Sequence, residues 1–547
     1  MEGMVLCDAN YVPLTPISFL ERAAFVYGDR VSIVYRNRQY IWRETYDRCI
    51  KLASSLSQLG ISQGHIVAAV APNIPELYEL HFGVPMAGGV LCALNTNLNA
   101  KVLSEKLEEL EAKAIFVDYE FIEVVEEAIA LLLSHTKKTN SITPPILILI
   151  QEIDRKDQSH IIKVEEDQFD YQSLLRMGKI DFQIVYPKDE CHPISINYTS
   201  GSTGKPKGAI YSHRATYLNA LSQVLRTGMS LKPIFLWTVD MFRCNGWCFP
   251  WTIAALGGTN ICLRQVTGKS ILENIFQHSV THFCGPPIIL NKIAETDHPP
   301  TTPYNVDVLV AGTMPTNPQI RTKLESLGFN ISYGYGMSEA LGPVTSLPWR
   351  SEIPDDNLEI RQGIRNLIID GIDVKDPVTM ASVPSDGKTI GEIMLKSNTI
   401  MLGYFKKSKS TEEVFKGGWY RTKDLGIKNQ NGNIQLKDRA VDVIITGGGE
   451  IVSSLEVESV IANHPAVMEV AVVGKSDDVF GEIPCAFVKI KEGFRADSEE
   501  IISFCEKSLP VYMIPKAVIF GELPVNSTGK IQKFVLRERL KGMMMVG

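Results

Sequence analysis

The sequence contains no apolar run close to the roughly 20 residues that a membrane-spanning helix requires. The first residues, Met1 to Tyr11, carry Glu2 and Asp8 and lack the basic and then apolar segments of a secretory signal peptide. The last residues, Met543 to Gly547, do not form a peroxisomal address of the Ser-Lys-Leu type. We therefore expect a protein without a membrane span that resides in the cytoplasm.

Cysteines are sparse and show no disulfide framework. Ten cysteines are spread over 547 residues, whereas small secreted domains concentrate them. The closest pair, Cys244 and Cys248, has no second pair and no histidine at zinc-ligand spacing. We expect reduced thiols that are mostly buried.

An excess of basic residues is also missing. The 55 Lys and Arg are outnumbered by 62 Asp and Glu, and the net charge of −7 argues against an extended nucleic-acid surface. A local basic site for a phosphorylated substrate remains compatible with this balance. Hydrophobic residues make up 45 % of the chain, which is enough for a core, and the length predicts two to four domain-sized units.

The first part of the chain alternates short apolar runs with amphipathic stretches. Ile66 to Val70 and Ala114 to Val117 are typical of buried strands, and Leu103 to Ala112 has leucines at helical spacing. Strand, helix and strand in succession predict parallel α/β layers. The polar stretch from Lys137 to Asp170, which surrounds the apolar run Ile146 to Ile150, is interpreted as an irregular insertion.

Later segments extend this series and then change character. A β-rich subregion is predicted from about Gly391, and a small α/β unit is predicted after a boundary near Asp438 and Arg439. The further segments that we interpret as strands are Ile234–Trp251, Asn260–Leu263, Thr281–Cys284, Val306–Val310, Ile390–Lys396, Ile434–Leu436, Val467–Val473 and Ala486–Ile490, and the further helices are Leu455–Ile461 and Glu499–Leu509.

The strongest chemical signal is the segment Tyr198-Thr-Ser-Gly-Ser-Thr-Gly-Lys-Pro-Lys-Gly208. Its glycines permit close backbone approach, successive amide groups can form an anion-binding nest, and hydroxyls and lysines add donors and charge for phosphate. It is not a P-loop, because Lys205 is followed by Pro206 and the glycine spacing differs. A flexible linker is the alternative, but such a density of lysines and hydroxyls is unusual for one.

This segment resembles the phosphate loop of the adenylate-forming superfamily, which includes acyl-CoA synthetases, 4-coumarate-CoA ligases, luciferases and the adenylation domains of peptide synthetases. Four further segments match motifs of that family in the expected order. Met241 to Trp251 is most similar to plant acyl-activating enzymes near benzoate-CoA and short- or medium-chain ligases. The four further motifs are Tyr333-Gly-Tyr-Gly-Met-Ser-Glu-Ala340, Trp419-Tyr-Arg-Thr-Lys-Asp424, Asp438-Arg439 and Pro524-Val-Asn-Ser-Thr-Gly-Lys530.

The resemblance implies an α/β fold with two domains. The expected N-terminal AMP-binding domain, residues 1–438, has parallel-rich α/β sheets and a β-rich subdomain, and a small mobile α+β domain, residues 439–547, carries the catalytic lysine. The implied activity is that of a carboxylate-CoA ligase that uses ATP, Mg²⁺ and coenzyme A. A small carboxylic acid is the expected substrate, and a monomer or homodimer is the expected assembly.

The same resemblance implies the nucleotide site. Tyr335 would stack on adenine, Ser338 would bind the α-phosphate, Glu339 would hold Mg²⁺, Asp424 would bind the ribose hydroxyls, and Arg439 would add a further contact. The residues that would hold the β- and γ-phosphates are Thr199, Ser200, Gly201, Ser202, Thr203, Gly204 and Lys205.

Lys530 would be the catalytic cation, since negative charge builds on the α-phosphate as the carboxylate attacks it. Rotation of the C-terminal domain would then withdraw Lys530 and admit the thiol of coenzyme A, in the region of Gly447 and Gly448. The acyl-pocket residues placed by family position are Arg243, Trp247, Gly312, Met314, Gly336 and Pro343.

Three residues depart from the family pattern. Arg243 replaces a histidine at the acyl pocket, where it would block the thioester channel or pair with a second carboxylate of the substrate. Lys423 replaces a glycine, and Val441 replaces a polar hinge residue. They motivate the alternative of a non-catalytic or impaired paralogue that binds ligand or regulates an active ligase. A third hypothesis keeps the enzyme and changes the acceptor to a carrier-protein thiol.

Overall fold

The computed structural model describes residues 3–136, 143–152, 169–199, 206–296, 303–311, 318–347, 364–477, 481–525 and 530–544. Within these ranges, no helix combines the length and the apolar character needed to cross a bilayer.

The strands follow one another along the chain as β1 (Val31–Tyr35), β2 (Arg38–Ile41), β3 (Ile66–Val70), β4 (Val90–Ala93), β5 (Ala114–Asp118), β6 (Ile146–Ile150), β7 (Phe169–Asp170), β8 (Pro193–Tyr198), β9 (Gly208–Ser212), β10 (Ile234–Leu236), β11 (Thr259–Ile261), β12 (His282–Gly285), β13 (Val306–Ala311), β14 (Phe329–Met337), β15 (Gly342–Leu347), β16 (Ile364–Arg365), β17 (Gly371–Lys375), β18 (Gly391–Lys396), β19 (Gly403–Tyr404), β20 (Tyr420–Lys428), β21 (Ile434–Arg439), β22 (Ile444–Ile445), β23 (Ile451–Val452), β24 (Val467–Asp477), β25 (Gly481–Ile490) and β26 (Ala517–Phe520).

The helices are α1 (Ile17–Val26), α2 (Trp42–Gln58), α3 (Pro75–Met86), α4 (Ala100–Leu110), α5 (Ile122–Thr136), α6 (Tyr171–Met177), α7 (His213–Thr227), α8 (Cys244–Trp247), α9 (Phe249–Leu256), α10 (Gly268–His278), α11 (Ile288–Ala294), α12 (Pro318–Ser326), α13 (Ser408–Val414), α14 (Ser454–Ile461), α15 (Ser498–Glu506) and α16 (Lys533–Met544).

The first of two large sheets has the strand order β19-β9-β8-β4-β3-β5-β6-β7 and is parallel from β8 to β7. Every residue of β3 is buried, as expected of a strand covered by helices on both faces. The strand predictions for β3 and β5 and the helix prediction for α4 are confirmed. The insertion interpretation is wrong for Ile146–Ile150, because this apolar run pairs in parallel with β5. Residues 137–142 and 153–168 of that stretch lie outside the described ranges.

The second large sheet has the order β16-β15-β14-β13-β12-β10-β11-β1-β2. The strand predicted from Ile234 to Trp251 is wrong beyond Leu236, because positive φ angles from Cys244 to Cys248 and Pro250 at the start of α9 turn the chain into helices. Asn73, which follows β3 of the first sheet, joins the two sheets. Its amide donates to the carbonyls of Trp237 and Val239 at 3.1 and 2.9 Å.

The predicted β-rich subregion is the antiparallel sheet β17-β18-β20-β21. Beyond it, β24, β25 and β26 form a small mixed sheet that packs with α14, α15 and α16. Asp438 and Arg439, the predicted domain boundary, are the last two residues of β21. The carboxylate of Asp438 accepts hydrogen bonds from the backbone and hydroxyl of Ser454 at 2.6 and 2.7 Å, which fastens the first turn of α14 to the end of β21.

Lys423 stands in the left-handed backbone region that its glycine counterpart in the family tolerates. Its φ is 60°, and its backbone N–H donates to Glu392 Oε1 at 3.0 Å. We expect Lys423→Gly to be more stable than Lys423→Ala by about 1 kcal/mol, because a Cβ is strained at this φ. Both variants lose the exposed ion pair with Glu413, so the difference reports backbone strain alone. Denaturant unfolding midpoints measure it.

The matched control is Lys51, which lies inside the helix α2. There the order should reverse, with alanine more stable than glycine by about 0.5–1 kcal/mol. The same order of alanine and glycine at both positions would contradict the strain at Lys423.

Candidate active site

The motif Tyr333 to Ala340 forms the end of β14 and a tight reversal into β15. Ser338–Ala340 is one turn of 3₁₀ helix, and Leu341 and Gly342 have φ angles of 59° and 128°. Gly336 pairs with Pro343 across the reversal, where an added Cβ would meet Gly342 O at 2.2 Å. Only glycine fits there, so Ser338 and Glu339 project from the carboxyl end of β14, at the edge where parallel sheets bind ligands.

Glu339 lies beside the base of the predicted phosphate loop. Tyr404 donates a hydrogen bond from its hydroxyl to Glu339 Oε1 at 2.8 Å, and the Lys207 ammonium lies 4.8 Å from the centre of the Tyr404 ring. Thr199 closes the base of the loop, because its N–H donates to Lys207 O at 2.9 Å. The predicted residues Ser200, Gly201, Ser202, Thr203, Gly204 and Lys205 lie outside the described ranges.

Tyr335, Asp424 and Arg439 come together from three strands. The hydroxyl of Tyr335 donates to Asp424 Oδ2 at 2.7 Å, and Arg439 Nε lies 3.4 Å from Asp424 Oδ1. Asp424 and Arg439 are register partners across β20 and β21. Asp424 is only 4 % exposed, and burial raises its pKa while the nearby Arg439 guanidinium opposes that rise. The carboxylate therefore faces the end of β14 from a site with little access to water.

Lys530 reaches the same place from the C-terminal part of the chain. The pKa of Lys530 is lowered to about 8, chiefly by burial and in part by the Arg439 guanidinium, while the carboxylates of Asp424 and Asp442 act in the opposite direction. Arg537 of α16 binds Asp442 at 2.8 Å, which fastens the last helix to the segment after β21. The structure thus brings Lys530 to the predicted nucleotide residues.

If Lys530 is the catalytic cation that the resemblance implies, we expect the kcat/KM for ATP to be level below about pH 8 and to fall above it, because burial makes the proton of Lys530 easier to lose. In the pH profile of kcat, the same fall should occur at higher pH, because the phosphates of bound ATP stabilise the protonated Lys530. Lys530→Arg should lack the limb, because guanidinium stays charged over this range. The measurement is a pH–rate profile of pyrophosphate release, and an identical limb in the arginine variant would contradict the assignment.

Arg243 is held by the protein's own carboxylate. Its Nε lies 2.7 Å from Asp240 Oδ2. Burial raises the pKa of Asp240, and Arg243 opposes that rise. The positive charge of Arg243, which the sequence suggested as a partner for a substrate carboxylate, is therefore already paired with Asp240 in the loop after β10.

Trp247 belongs to a left-handed turn that the sequence did not predict. Five successive residues, from Cys244 to Cys248, have φ angles between 39° and 68°. Single left-handed residues cost roughly 1–2 kcal/mol each, so the surroundings must stabilise such a run. Asn245 supplies part of that stabilisation, because its N–H donates to Asn197 Oδ1 at 2.8 Å and its side-chain oxygen accepts from Ser195 at 2.6 Å.

The helix α7 holds the other side of this turn. The Asn219 amide donates to Leu341 O at 2.6 Å and the Gln223 amide donates to Trp247 O at 2.8 Å. The three atoms nearest to an added Cβ on Gly342 would belong to the side chains of Asn219, Gln223 and Trp247, at 3.7 to 3.9 Å. The predicted pocket residue Trp247 thus contacts α7, and Pro343, which pairs with Gly336, directly follows Gly342. Sequence reasoning missed the polar face of this helix. The available signal was the polar spacing of residues 219, 223 and 226. Gly312 and Met314 lie outside the described ranges.

The predicted coenzyme A residues lie in the turn between β22 and β23. Gly481 packs against the backbone of Gly447, and Glu450 packs over Gly448. Val441, the apolar residue at the predicted hinge, is 51 % exposed just after β21. These residues belong to the C-terminal part of the chain.

Comparison with family models places the chain among known proteins. Residues 20–405 match the AMP-binding enzyme model, and residues 456–530 match the model of the AMP-binding enzyme C-terminal domain. The first match covers more than half of the chain.

Curated relatives match over nearly their whole length. An Arabidopsis thaliana protein named "Probable acyl-activating enzyme 21" is 46 % identical, over 99 % of this chain and 98 % of its own. An acetate–CoA ligase of Humulus lupulus is 43 % identical, over 98 % of this chain and 96 % of its own. Among solved structures, ATP-bound MatB from Rhodopseudomonas palustris has a TM-score of 0.82 at 23 % identity, over 96 % of this chain and 99 % of its own, which shows a shared fold.

Proposed function

Because the chain belongs to the AMP-binding enzyme family, we propose that it is an AMP-forming carboxylate–CoA ligase. The carboxylate of a small acid attacks the α-phosphorus of ATP, which yields acyl-AMP and pyrophosphate. The thiol of coenzyme A then attacks the acyl carbonyl carbon, AMP leaves, and the thioester remains. The observation that supports this function best is the meeting of Tyr335, Asp424, Arg439 and Lys530 at one point, although they come from distant parts of the chain.

In the adenylation step, the Lys530 ammonium would lie against the α-phosphate and the attacking carboxylate, where it offsets the charge that builds as the new bond forms. Asp424, fixed by Tyr335 and Arg439, would accept hydrogen bonds from the ribose hydroxyls. The Tyr335 ring would pack on adenine. Ser338 would donate its hydroxyl proton to an α-phosphate oxygen, and the loop from Thr199 to Lys205 would bind the β- and γ-phosphates.

The donor set suits Mg²⁺. Glu339 offers carboxylate oxygens next to the phosphate loop, and hard carboxylate oxygen is what Mg²⁺ prefers. In the part of the chain that the structure describes, no group of three or more His, Cys, Asp or Glu could hold a metal ion. That agrees with a magnesium site completed by water and substrate phosphates, which would neutralise phosphate charge.

The thioester step needs the segment after Arg439 to rotate as the C-terminal domain, 439–547. We propose Arg439 and Val441 as the pivot and the turn at Gly447 and Gly448 as part of the surface that faces coenzyme A. Val441 would swing without a polar contact to the nucleotide. We also propose a cytoplasmic location and a monomer or homodimer, for which light scattering of the purified chain is the test.

The test of function is purified protein with Mg²⁺, ATP and coenzyme A against acetate, branched short acids, hexanoate, octanoate, benzoate, cinnamates, malonate and oxalate. Mass spectrometry follows acyl-AMP and acyl-CoA separately. Acyl-CoA from one or a few acids supports the ligase. Acyl-AMP without acyl-CoA would place a defect in the thioester step, and neither product with any acid would favour the non-catalytic paralogue. Thioester found only on added carrier protein would support the other acceptor.

A further inference from the structure

A row of buried polar side chains runs along α7 beside the proposed acyl pocket. Asn219, Gln223 and Arg226 are 2 %, 0 % and 7 % exposed and are spaced so that they share one helix face. Asn219 binds the carbonyl of Leu341, next to the Ser338 turn, and Gln223 binds the carbonyl of Trp247. Arg226 lies seven residues beyond Asn219, about 10 Å farther along the helix axis. The row therefore leads away from the reacting end of the pocket.

Arg226 carries a buried positive charge that no carboxylate of the described residues balances. Its Nη2 donates to Ser222 Oγ at 3.3 Å, and its buried Nε and Nη1 have no hydrogen-bond partner among the described residues. The nearby Cys248 thiol gives no compensation, because burial raises its pKa and keeps it neutral. Burial lowers the pKa of Arg226 to about 10, which still leaves it charged at neutral pH. An unpaired buried cation is costly and therefore rare.

Other sheltered arginines of this chain are paired. Arg38 binds Glu76 at 2.8 Å, Arg48 binds Glu79 at 2.6 Å, and Arg264 binds Asp118 at 2.8 Å. Each of these carboxylates has a side chain that is no more than 1 % exposed. Against that pattern, Arg226 lacks the partner that its burial calls for. Gln223 Oε1, three residues earlier on the same face, is also buried and has no hydrogen-bond partner in the described ranges. Two unsatisfied buried polar groups on one face are what a bound polar ligand would satisfy.

We propose that Arg226 binds a second carboxylate at the far end of the substrate, so that the enzyme activates one carboxyl group of a short-chain dicarboxylic acid. This inference rests on the proposed ligase function and names its substrate class. A guanidinium binds a carboxylate through two parallel N–H···O bonds from one edge. Nε and Nη1 of Arg226 have no partner among the described residues, and the second N–H of Nη2 can complete the edge with either of them. Arg243, the other candidate for binding a second substrate carboxylate, is already paired with Asp240, so we assign this role to Arg226. The site is charge-neutral only when the second carboxylate is present.

The experiment compares succinate, glutarate and adipate with butyrate, valerate and hexanoate as length-matched monocarboxylates. We expect at least one dicarboxylate to have a kcat/KM about 10²-fold or more above that of its matched monocarboxylate in the unmodified enzyme. In Arg226→Leu the dicarboxylate should lose about that factor, while the monocarboxylates hold or improve. Arg226→Lys should recover part of the preference. Equal use of both acid classes, unchanged in Arg226→Leu, would overturn the inference while leaving the ligase in place.

A measurement of dicarboxylate binding tests this inference independently of the proposed ligase activity. In a thermal-shift titration, the preferred dicarboxylate should raise the melting temperature of the unmodified protein and not that of Arg226→Leu. Arg226→Leu should itself melt no lower, because it removes an uncompensated buried charge. The control Arg43→Leu changes an exposed arginine paired with Asp29 and should leave both readouts unchanged. Binding lost in Arg226→Leu without turnover would refute the ligase and support the subsite. If Arg226→Leu changes only the melting temperature and still binds the dicarboxylate, Arg226 has a purely structural role and the inference is refuted.

Discussion

Lys530→Ala should slow the formation of acyl-adenylate by about 10²- to 10³-fold while leaving the KM for ATP within a small factor. The ammonium acts on charge that develops only as the carboxylate attacks, so its loss raises the barrier more than it weakens binding of the nucleotide. Lys530 is buried within electrostatic reach of Asp424 and Arg439, which is where the proposed adenylation chemistry places its charge. Pyrophosphate release in the presence of the best acid is the measurement.

The second half-reaction provides the internal control. When synthetic acyl-AMP is supplied with coenzyme A, Lys530→Ala should form acyl-CoA at nearly the unmodified rate, because the proposed rotation of the C-terminal domain would withdraw Lys530 before this step. Lys541, exposed on α16 and paired with Glu538, is the matched lysine whose replacement by alanine should change neither half-reaction. Equal loss in both half-reactions would show that Lys530 supports the fold of the C-terminal part and not the adenylation chemistry.

Glu339→Gln should weaken the magnesium dependence of adenylation by about 10²-fold or more. The amide keeps the size and the hydrogen bond from Tyr404 but removes the negative charge that attracts the metal. Changes to groups that merely orient a metal ligand already cost about 10- to 100-fold in affinity, and Glu339 is proposed as the ligand itself. The measurement is the initial rate of pyrophosphate release as free Mg²⁺ is varied at saturating ATP.

Tyr404→Phe distinguishes the proposed binding of Mg²⁺ by Glu339 from the orientation of Glu339 by Tyr404. It keeps the Glu339 carboxylate and removes only the 2.8 Å hydrogen bond, so we expect a loss of about tenfold or less. Glu413→Gln, which changes an exposed carboxylate paired with Lys423, should be silent. A Glu339→Gln enzyme with an unchanged magnesium dependence would place the metal elsewhere and leave Glu339 as a partner of Tyr404.

Strands such as Ile66–Val70 could be predicted from the sequence because burial on both faces makes the pattern plain, whereas the equally buried β4 was not predicted. The prediction was wrong where the run was apolar but the backbone was not extended, from Cys244 to Trp251. A left-handed run leaves no mark on hydropathy, because it depends on partners such as Asn197 and Ser195 that lie about 50 residues away in the chain. For Ile146–Ile150 the error was the reverse: the sequence predicted an irregular insertion, but the segment is a strand that pairs with β5. The polar residues on either side of it obscured the strand pattern.

The sequence by itself determined the family of the protein and, through it, the chemistry that we propose. The proposed phosphate loop, magnesium carboxylate and catalytic lysine lie in short contiguous motifs, because each of these functions needs particular residue types at close spacing along the backbone. Those motifs identified the family before any contact was known, and the family models agree.

Only the tertiary structure decided which charges are compensated. Arg243 and Arg226 are equally cationic in the sequence, yet Asp240 neutralises the first and no carboxylate of the described chain reaches the second. Charge balance is a property of three-dimensional neighbours and of the water that burial excludes, neither of which follows from sequence spacing. For this reason we assign the binding of a second substrate carboxylate to Arg226, at the far end of α7, and not to Arg243, where the sequence suggested it.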